Sequence, residues 1–298
     1  MFNYFKEYTA FCKSFILAIL LISPSAFARI NQIETTRMMS TAGSGVGSVL
    51  MDEASILNPA SLAFFNLSSI YFQKGSSNTT SDSVGNSKAD ADQTSFIASD
   101  SSGSLSGSIG YFKQSNNLNE QRKTWSFAAA SPLGKSSSFG MSYQMQTEVL
   151  QVPGGIEEKK YKMSNAGFFH AINQNFSFGL LATDIFGNKT NNSKAFLGMQ
   201  YVYDNMMSFM LDVGSIYKED LAKNSIIKAA VQIKFFNDFY LRFGAKEDKS
   251  ERLRGNGIGV GWVQPKLVID LALSNNKFQT EAASDSEKVS SFSLAYKF

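Results

Sequence analysis

The chain has 298 residues, 43% of them apolar, a formal charge of +3 and one cysteine, Cys12. So weak a charge excludes the broad basic face of a nucleic-acid binder, and the slightly negative mean hydropathy excludes a bundle of membrane helices. The 26 Phe and 11 Tyr, set against 5 Pro, point to strands and interfaces.

In chain order, Lys6 and Lys13 bracket the start of an apolar run over 15–22, which ends in Ser23-Pro24-Ser25-Ala26-Phe27-Ala28. A basic lead, a short apolar run and a small-residue site predict a secretory signal peptide over 1–28, cleaved after Ala28. At about nine residues the run is too short to span the ~30 Å hydrocarbon core. Cys12 precedes the run, which argues against a lipid-anchored cysteine. Cleavage removes it, leaving no disulfide, thiol nucleophile or thiolate metal site.

Residues 29–66 lack any two-residue alternation. Thr41–Ser48 reads as a flexible Gly/Ser stretch. A short helix is predicted over 49–57, with Asp52 and Glu53 in its first turn, where the helix dipole favours acids. A second is predicted from Pro59 to Phe65, with Asn58 as its cap. The residues Gly43, Gly45, Gly47, Asp52, Glu53, Ala54, Ser55, Asn58, Pro59 and Ala60 stand just before the first strand. This stretch resembles the N-terminal hatch of the FadL-like outer-membrane channels, and PorV-like barrels share a related start. The resemblance implies a barrel of fourteen strands that passes hydrophobic compounds such as fatty acids, with Asp52, Glu53, Asn58, Pro59 and Ala60 as ligand-binding or hatch residues.

Beyond this segment, strands are predicted over 67–76, 92–101, 104–114, 122–131, 137–149, 161–172, 176–187, 193–203, 206–218, 225–236, 239–248, 255–263, 267–276 and 288–298. Fourteen is even, as a single-chain bacterial barrel requires, although strands 2, 6 and 8 alternate poorly and twelve is the other count weighed. Short turns near 102–103, 132–134, 173–175, 204–205, 237–238 and 264–265 alternate with polar loops over 77–91, 115–121, 150–160, 188–192, 219–224, 249–254 and 277–287. Such asymmetry marks the periplasmic and extracellular ends of an outer-membrane barrel.

The alternation separates two faces. Trp125, Phe127 and Ala129 share one, as do Phe139, Met141, Tyr143 and Met145. Phe209, Leu211 and Val213 oppose Ser208, Asp212 and Gly214. Ile227 to Phe235 oppose Lys228, Gln232 and Lys234. Phe239, Leu241 and Phe243 oppose Arg242, Gly244 and Lys246, and Leu267, Ile269 and Leu271 oppose Asp270. The last strand sets Phe292, Leu294, Tyr296 and Phe298 against Ser291, Ser293, Ala295 and Lys297. Alternation suits a soluble sandwich with apolar residues inward or a membrane barrel with them outward. The signal peptide, the loop asymmetry and the aromatic last strand favour the barrel. That strand resembles the C-terminal signal of outer-membrane barrels, which implies recognition by the barrel-assembly machinery.

The expected fold is therefore all-β: a transmembrane antiparallel outer-membrane β-barrel over 67–298, with a short helical N-terminal hatch over 29–66, exported through the cleaved signal peptide of a Gram-negative-type bacterium. The lone His170, the absence of HExxH or a Ser/His/Asp spacing, and a GSGVGS run with no preceding strand give no support to catalysis, a metal or a cofactor. Partners are the outer-membrane lipid and a hydrophobic small molecule, with no nucleic acid. Lys228, Lys234, Arg242 and Lys246 are predicted to form a basic wall in the lumen, facing either the hatch acids or an anionic head group. Gly107 and Gly110 weaken strand 3, which the family resemblance makes the candidate for a lateral opening. The glycines at 257, 259 and 261 make room for the hatch. The leading function is passive uptake of a hydrophobic or amphipathic small molecule. A PorV-like secretion accessory or scaffold, and a general diffusion porin, are the alternatives.

Overall fold

A computed structural model describes residues 33–81, 88–152, 155–189, 192–217, 219–220, 223–279 and 284–298. The signal-peptide expectation lies outside the described residues.

Fourteen antiparallel strands close into one barrel. They are β1 (Ser68–Ser81), β2 (Lys88–Asp100), β3 (Ser106–Asn116), β4 (Gln121–Pro132), β5 (Ser137–Val152), β6 (Gly155–Ala171), β7 (Phe176–Ala182), β8 (Lys194–Tyr203), β9 (Met207–Ile216), β10 (Ser225–Phe235), β11 (Phe239–Asp248), β12 (Leu253–Val263), β13 (Leu267–Gln279) and β14 (Ser284–Lys297). Closure is sealed where the last strand meets the first. Ser69 pairs with Lys297 and Phe72 with Leu294. Phe298 and Ser68 exchange both backbone hydrogen bonds, at 2.9 and 3.0 Å. A closed ladder leaves no edge unpaired, which is what a sheet in lipid requires.

The faces are inside-out relative to a soluble protein. Phe72, Phe96, Trp125, Phe139, Phe209, Ile227, Phe243, Leu271 and Leu294 all point outward and exposed. In water this belt would far exceed the few hundred Å² of apolar patch that monomers tolerate, so its solvent is hydrocarbon. The inward positions are small or polar: Ser69, Gln73, Ser95, Ser108, Thr124, Ser126, Ser138 and Ser293 are buried.

The chain before β1 lies inside the barrel. Helix α1 (Thr36–Ser40) is capped by Thr35, whose side chain accepts from Met38 N. It lies against β11–β14. A 3-10 helix (Pro59–Phe64) is capped by Asn58, whose side chain accepts from Ala60 N. It lies against β3–β6. The predicted second helix is therefore present, in the tighter 3-10 form. The predicted helix over 49–57 is absent, and turns run there instead. Thr41–Ser48 is not a loose linker either, since Thr41, Ala42, Ser44, Val46 and Ser48 are buried.

Further boundaries differ. β1 reaches Ser81 and β2 starts at Lys88, inside the loop expected over 77–91, and β13 reaches Gln279 and β14 starts at Ser284, inside that expected over 277–287. Of the loop expected over 150–160, residues 150–152 and 155–160 are strand. A strand projecting beyond lipid needs no apolar face, so alternation misses it. The strand expected to reach 187 stops at Ala182. Asp184 turns left-handed there, with φ 44°. Its carboxylate accepts from Asn188 N at 3.0 Å and Lys189 N at 2.8 Å, a local bonding pattern that ends the ladder.

Candidate functional site

The inner segment has little secondary structure of its own, so its backbone groups must find partners elsewhere. The barrel wall supplies them. Ser126 Oγ donates to Ser55 O at 2.7 Å, Ser138 Oγ to Ala60 O at 2.7 Å, Ser177 Oγ to Gly47 O at 2.7 Å and Ser101 Oγ to Leu62 O at 2.9 Å. Gln73 and Gln93 both donate to Glu34 O. The Asp212 carboxylate accepts from Gly45 N at 2.8 Å and from Val46 N.

Glycines let the two backbones touch. Gly140 pairs with Gly167, Gly179 with Gly198, and Gly244 with Gly257 across neighbouring strands. A methyl on Gly140 would stand 2.5 Å from Ala60 N, and one on Gly198 would stand 2.6 Å from Gly47 N. Methyls on Gly257 and Gly244 would overlap Met39 O and Thr41 C. The space expected beside Gly257 and Gly259 is thus filled by α1, as Ser40 lies against Gly259. Gly261 faces Arg242 and Asp270 instead.

Above this seated segment, toward the long loops, the lumen holds a cavity of about 340 Å³. Its floor is apolar, formed by Met38, Leu57, Leu181, Phe196 and Ile226, which pack as one cluster with Val46. Its walls are charged but largely paired. Arg122 and Lys189 both meet Glu148, at 2.7 and 2.8 Å. Lys194 bridges Asp248 at 3.0 Å and Glu251 at 2.8 Å. Lys228 differs from these three cations. Its Nζ donates to Gly43 O at 3.2 Å and lies 5.1 Å from the Phe196 ring, with no carboxylate in ion-pair contact among the described residues.

The basic residues predicted for the lumen do face inward, but they do not act together. Lys246 pairs with Glu34 at 2.7 Å. Arg242 is fully buried, donating to Asp270 at 2.5 Å and Gln232 at 2.8 Å. Lys234 is half-buried near the short-turn end of β10, away from this cavity. Only Lys228 of the four borders the cavity. Of the inner segment's acids, Glu34 is the one that meets them, while Asp52 and Glu53 make no ion pair with any of the four among the described residues. Asp52 accepts from Ser69 Oγ at 2.5 Å and Glu53 from Thr35 Oγ1 at 3.1 Å. Burial raises both carboxyls above their ordinary range, and nearby Arg37 pulls each of them back. Asp52, Glu53, Asn58, Pro59 and Ala60 all lie outside the cavity lining. Asp52, Asn58 and Ala60 bond the wall, whereas Glu53 bonds Thr35 within the inner segment. Asn58 Nδ2, for example, donates to Val46 O at 2.8 Å and Phe168 O at 3.2 Å.

No lateral gap opens at β3. Its pairing with β2 and β4 runs unbroken past Gly107 and Gly110, and Gly110 accommodates the Phe112 ring and Ser55. The ladder is shortest at β7, where β6 is paired only from Ala166 to Ala171. Beyond that ladder, residues 183–189 lie beside β6, with Ile185 N donating to Ser164 O at 2.9 Å. His170 sits on the outer face near the short turns, bonded to Ser137 Oγ at 2.7 Å and 5.4 Å from the Phe178 ring.

The cavity residues Arg122, Lys189 and Lys194 escape a reading of the sequence. They lie near strand ends or in a loop, where alternation carries no face information.

Solved structures of outer-membrane channels share this fold. The toluene transporter TbuX of Ralstonia pickettii superposes with a TM-score of 0.70 at 13% identity, covering 89% of this chain and 98% of that one. The fold is that of the FadL-type barrels. The Pseudomonas putida toluene transporter TodX matches at 0.67 with 10% identity, over 90% of this chain and 98% of its own. A Pseudomonas aeruginosa FadL homologue matches at 0.65 with 10% identity, over 89% and 98%. No protein-family model and no curated protein matches the sequence. The FadL-type fold is therefore shared at a level where side-chain chemistry has diverged, and the site must be read from this chain's own residues.

Proposed function

We propose that this protein is an outer-membrane channel for passive uptake of small hydrophobic or weakly amphipathic molecules, with residues 33–66 as the hatch that closes it. The observation that carries this is the cavity, with its floor of Met38, Leu57, Leu181, Phe196 and Ile226 and Lys228 at its edge. An apolar body would displace poorly held water from that floor, and a polar end would turn toward Lys228. Size narrows the class. Binding pockets run from about 300 to 1,000 Å³, so about 340 Å³ suits a single-ring molecule better than an extended acyl chain. The toluene transporters TbuX and TodX, whose fold this chain shares, support the same range. Release is expected to proceed by a shift of the hatch, because the barrel is closed and the ladder at β3 is unbroken.

The test is uptake of labelled toluene and of labelled oleate into liposomes holding the purified protein. Toluene is expected to enter faster than into protein-free liposomes. Ile226→Trp, which fills the cavity floor, is expected to reduce that rate at least fivefold while the barrel still migrates as folded. Toluene flux equal to that of empty liposomes would overturn the channel reading and favour a scaffold. Faster oleate than toluene flux would overturn the size argument.

A further inference from the structure

The outer face carries a feature that uptake does not use. One continuous row of outward side chains crosses β1 to β6, each residue directly opposite the next: Lys74, Thr94, Lys113, Lys123, Thr147 and Lys160. Lys74, Lys113, Lys123 and Lys160 are exposed. No carboxylate stands in the row. Lys113 and Lys123 face each other with β-carbons ~5 Å apart, an arrangement that is destabilising unless an anion lies between them. Lys160 reaches Glu158 at 3.0 Å, whereas Lys74, Lys113 and Lys123 make no ion pair among the described residues. Asp92, on the neighbouring row beside Ser76 and Ser115, is not paired to them either.

The next row toward the short turns is apolar and aromatic: Phe72, Phe96, Tyr111, Trp125 and Met145. Tyr111 and Trp125 lie 4.8 Å apart, centre to centre. An aromatic row topped by lysines marks the boundary between hydrocarbon and head groups. The lysine row leaves that boundary on one side only. Followed the other way, it continues as Phe292, Leu271, Val260, Leu241 and Ile233, all apolar. Because strands in a barrel tilt, the row climbs out of the bilayer as it passes from β12 to β6. Beside Lys74 the outer wall is concave. A groove of about 590 Å³ runs over Ile258, Val260, Leu271, Leu273 and Phe292, with small Ser76 and Ser290 forming its depth.

We infer that this face binds a phosphorylated, multiply acylated lipid of the outer leaflet, with phosphates on Lys74, Lys113 and Lys123 and an acyl chain in the β12–β1 groove. Charge selects the lipid, since three unpaired ammonium groups and two hydroxyls match a head group with more than one phosphate. The inference rests on the barrel spanning the outer membrane with its long loops outside. It is independent of what passes through the lumen.

Trp125 is a built-in reporter below Lys123. The protein carrying Trp262→Phe is titrated in zwitterionic detergent with bis-phosphorylated hexa-acyl lipid A, with the same lipid stripped of phosphate, and with phosphatidylglycerol. Trp125 emission and native mass spectrometry are the readouts. The bis-phosphorylated lipid is expected to bind at least tenfold more tightly than either of the others. Lys113→Gln/Lys123→Gln is expected to lose at least that factor, while Lys113→Arg/Lys123→Arg and the turn variant Lys266→Gln retain binding. Equal affinity for phosphorylated and stripped lipid would overturn the proposal, as would equal binding of phosphatidylglycerol. So would undiminished binding by the Gln pair, or an equal loss in Lys266→Gln. The Arg pair keeps the charge, so its retained binding separates a lost contact from a lost fold.

Discussion

Replacing Gly140 by alanine places a methyl 2.5 Å from both Ala60 N and Pro59 C, and 2.8 Å from Pro59 O. Ordinary contacts of such atoms begin near ~3.5 Å, so one backbone must retreat by about 1 Å. The wall resists, because Gly140 sits mid-strand with Gly167 and Ala130 opposite it. The 3-10 helix then moves, stretching the Ser138–Ala60 hydrogen bond of 2.7 Å. Overpacking of this kind costs about 1–3 kcal/mol. For a chain of this size, that lowers the unfolding midpoint by roughly 2–10 °C. The assay is the temperature at which the folded band on an SDS gel shifts to the unfolded position, run beside limited trypsin digestion. Arg37, half-buried on α1 inside the barrel, reports hatch release, since a protease outside the barrel reaches its backbone only when the hatch leaves its seat. Gly107→Ala is the control, because its nearest neighbour, Ala128 O, is 3.9 Å away. Unchanged midpoint and digestion in Gly140→Ala would refute the backbone-contact argument. So would an equal fall in Gly107→Ala.

Three more outcomes follow from the same interior. Asp212→Ala removes the acceptor for Gly45 N and Val46 N, and charged hydrogen bonds of this kind are worth about 1.5–3 kcal/mol. It should speed trypsin cleavage at Arg37, with Asp212→Asn intermediate; wild-type digestion of Asp212→Ala would count against the anchor. Arg242→Met strands Asp270 in the lumen and should destabilise by about 3–5 kcal/mol. Adding Asp270→Leu should recover most of that in the gel-shift midpoint, and no recovery would mean the pair is not the cause. Asp52 and Glu53 have carboxyls raised by burial, so their stabilisation is complete below the ordinary carboxylate range of about 4 and is lost as pH rises through the folded values. Hatch release by trypsin-like proteases, corrected for enzyme activity, should increase from pH 4 to pH 8, and Glu53→Gln should flatten the rise. A profile that is flat in the wild type would remove the electrostatic account.

Much of the barrel is legible in the sequence because lipid imposes a strict period of two. Trp125, Phe127, Phe209, Leu211 and Phe292 fall on the outer face for that reason, and the count of fourteen follows from that rule together with the spacing of turns and loops, since strands 2, 6 and 8 alternate poorly. It stops working where the lipid stops. Leu150 to Val152 and Gly155 to Lys160 form ladder without sustained apolar alternation, so they read as loop. The hatch is harder still. Asn58 with Pro59 announces a helix start, and one is there. The Gly/Ser content of Thr41–Ser48 suggests looseness, whereas its order comes from wall residues such as Asp212 and Ser177, more than a hundred positions away. Lys228 was visible as an inward cation. Its lack of an acidic partner emerges only when Lys246 is seen to take Glu34.

The cross-strand glycine pairs have a consequence for how such a channel can change its cargo. Apart from Gly167, which meets the Asn58 and Pro59 side chains, they seat the hatch through main-chain atoms, which are the same for every residue type. Side chains of the hatch that point away from the seat, Met38 and Leu57 among them, can therefore be exchanged without disturbing closure. The lock and the lining are written in different parts of the same residues, so a new lining needs no new lock.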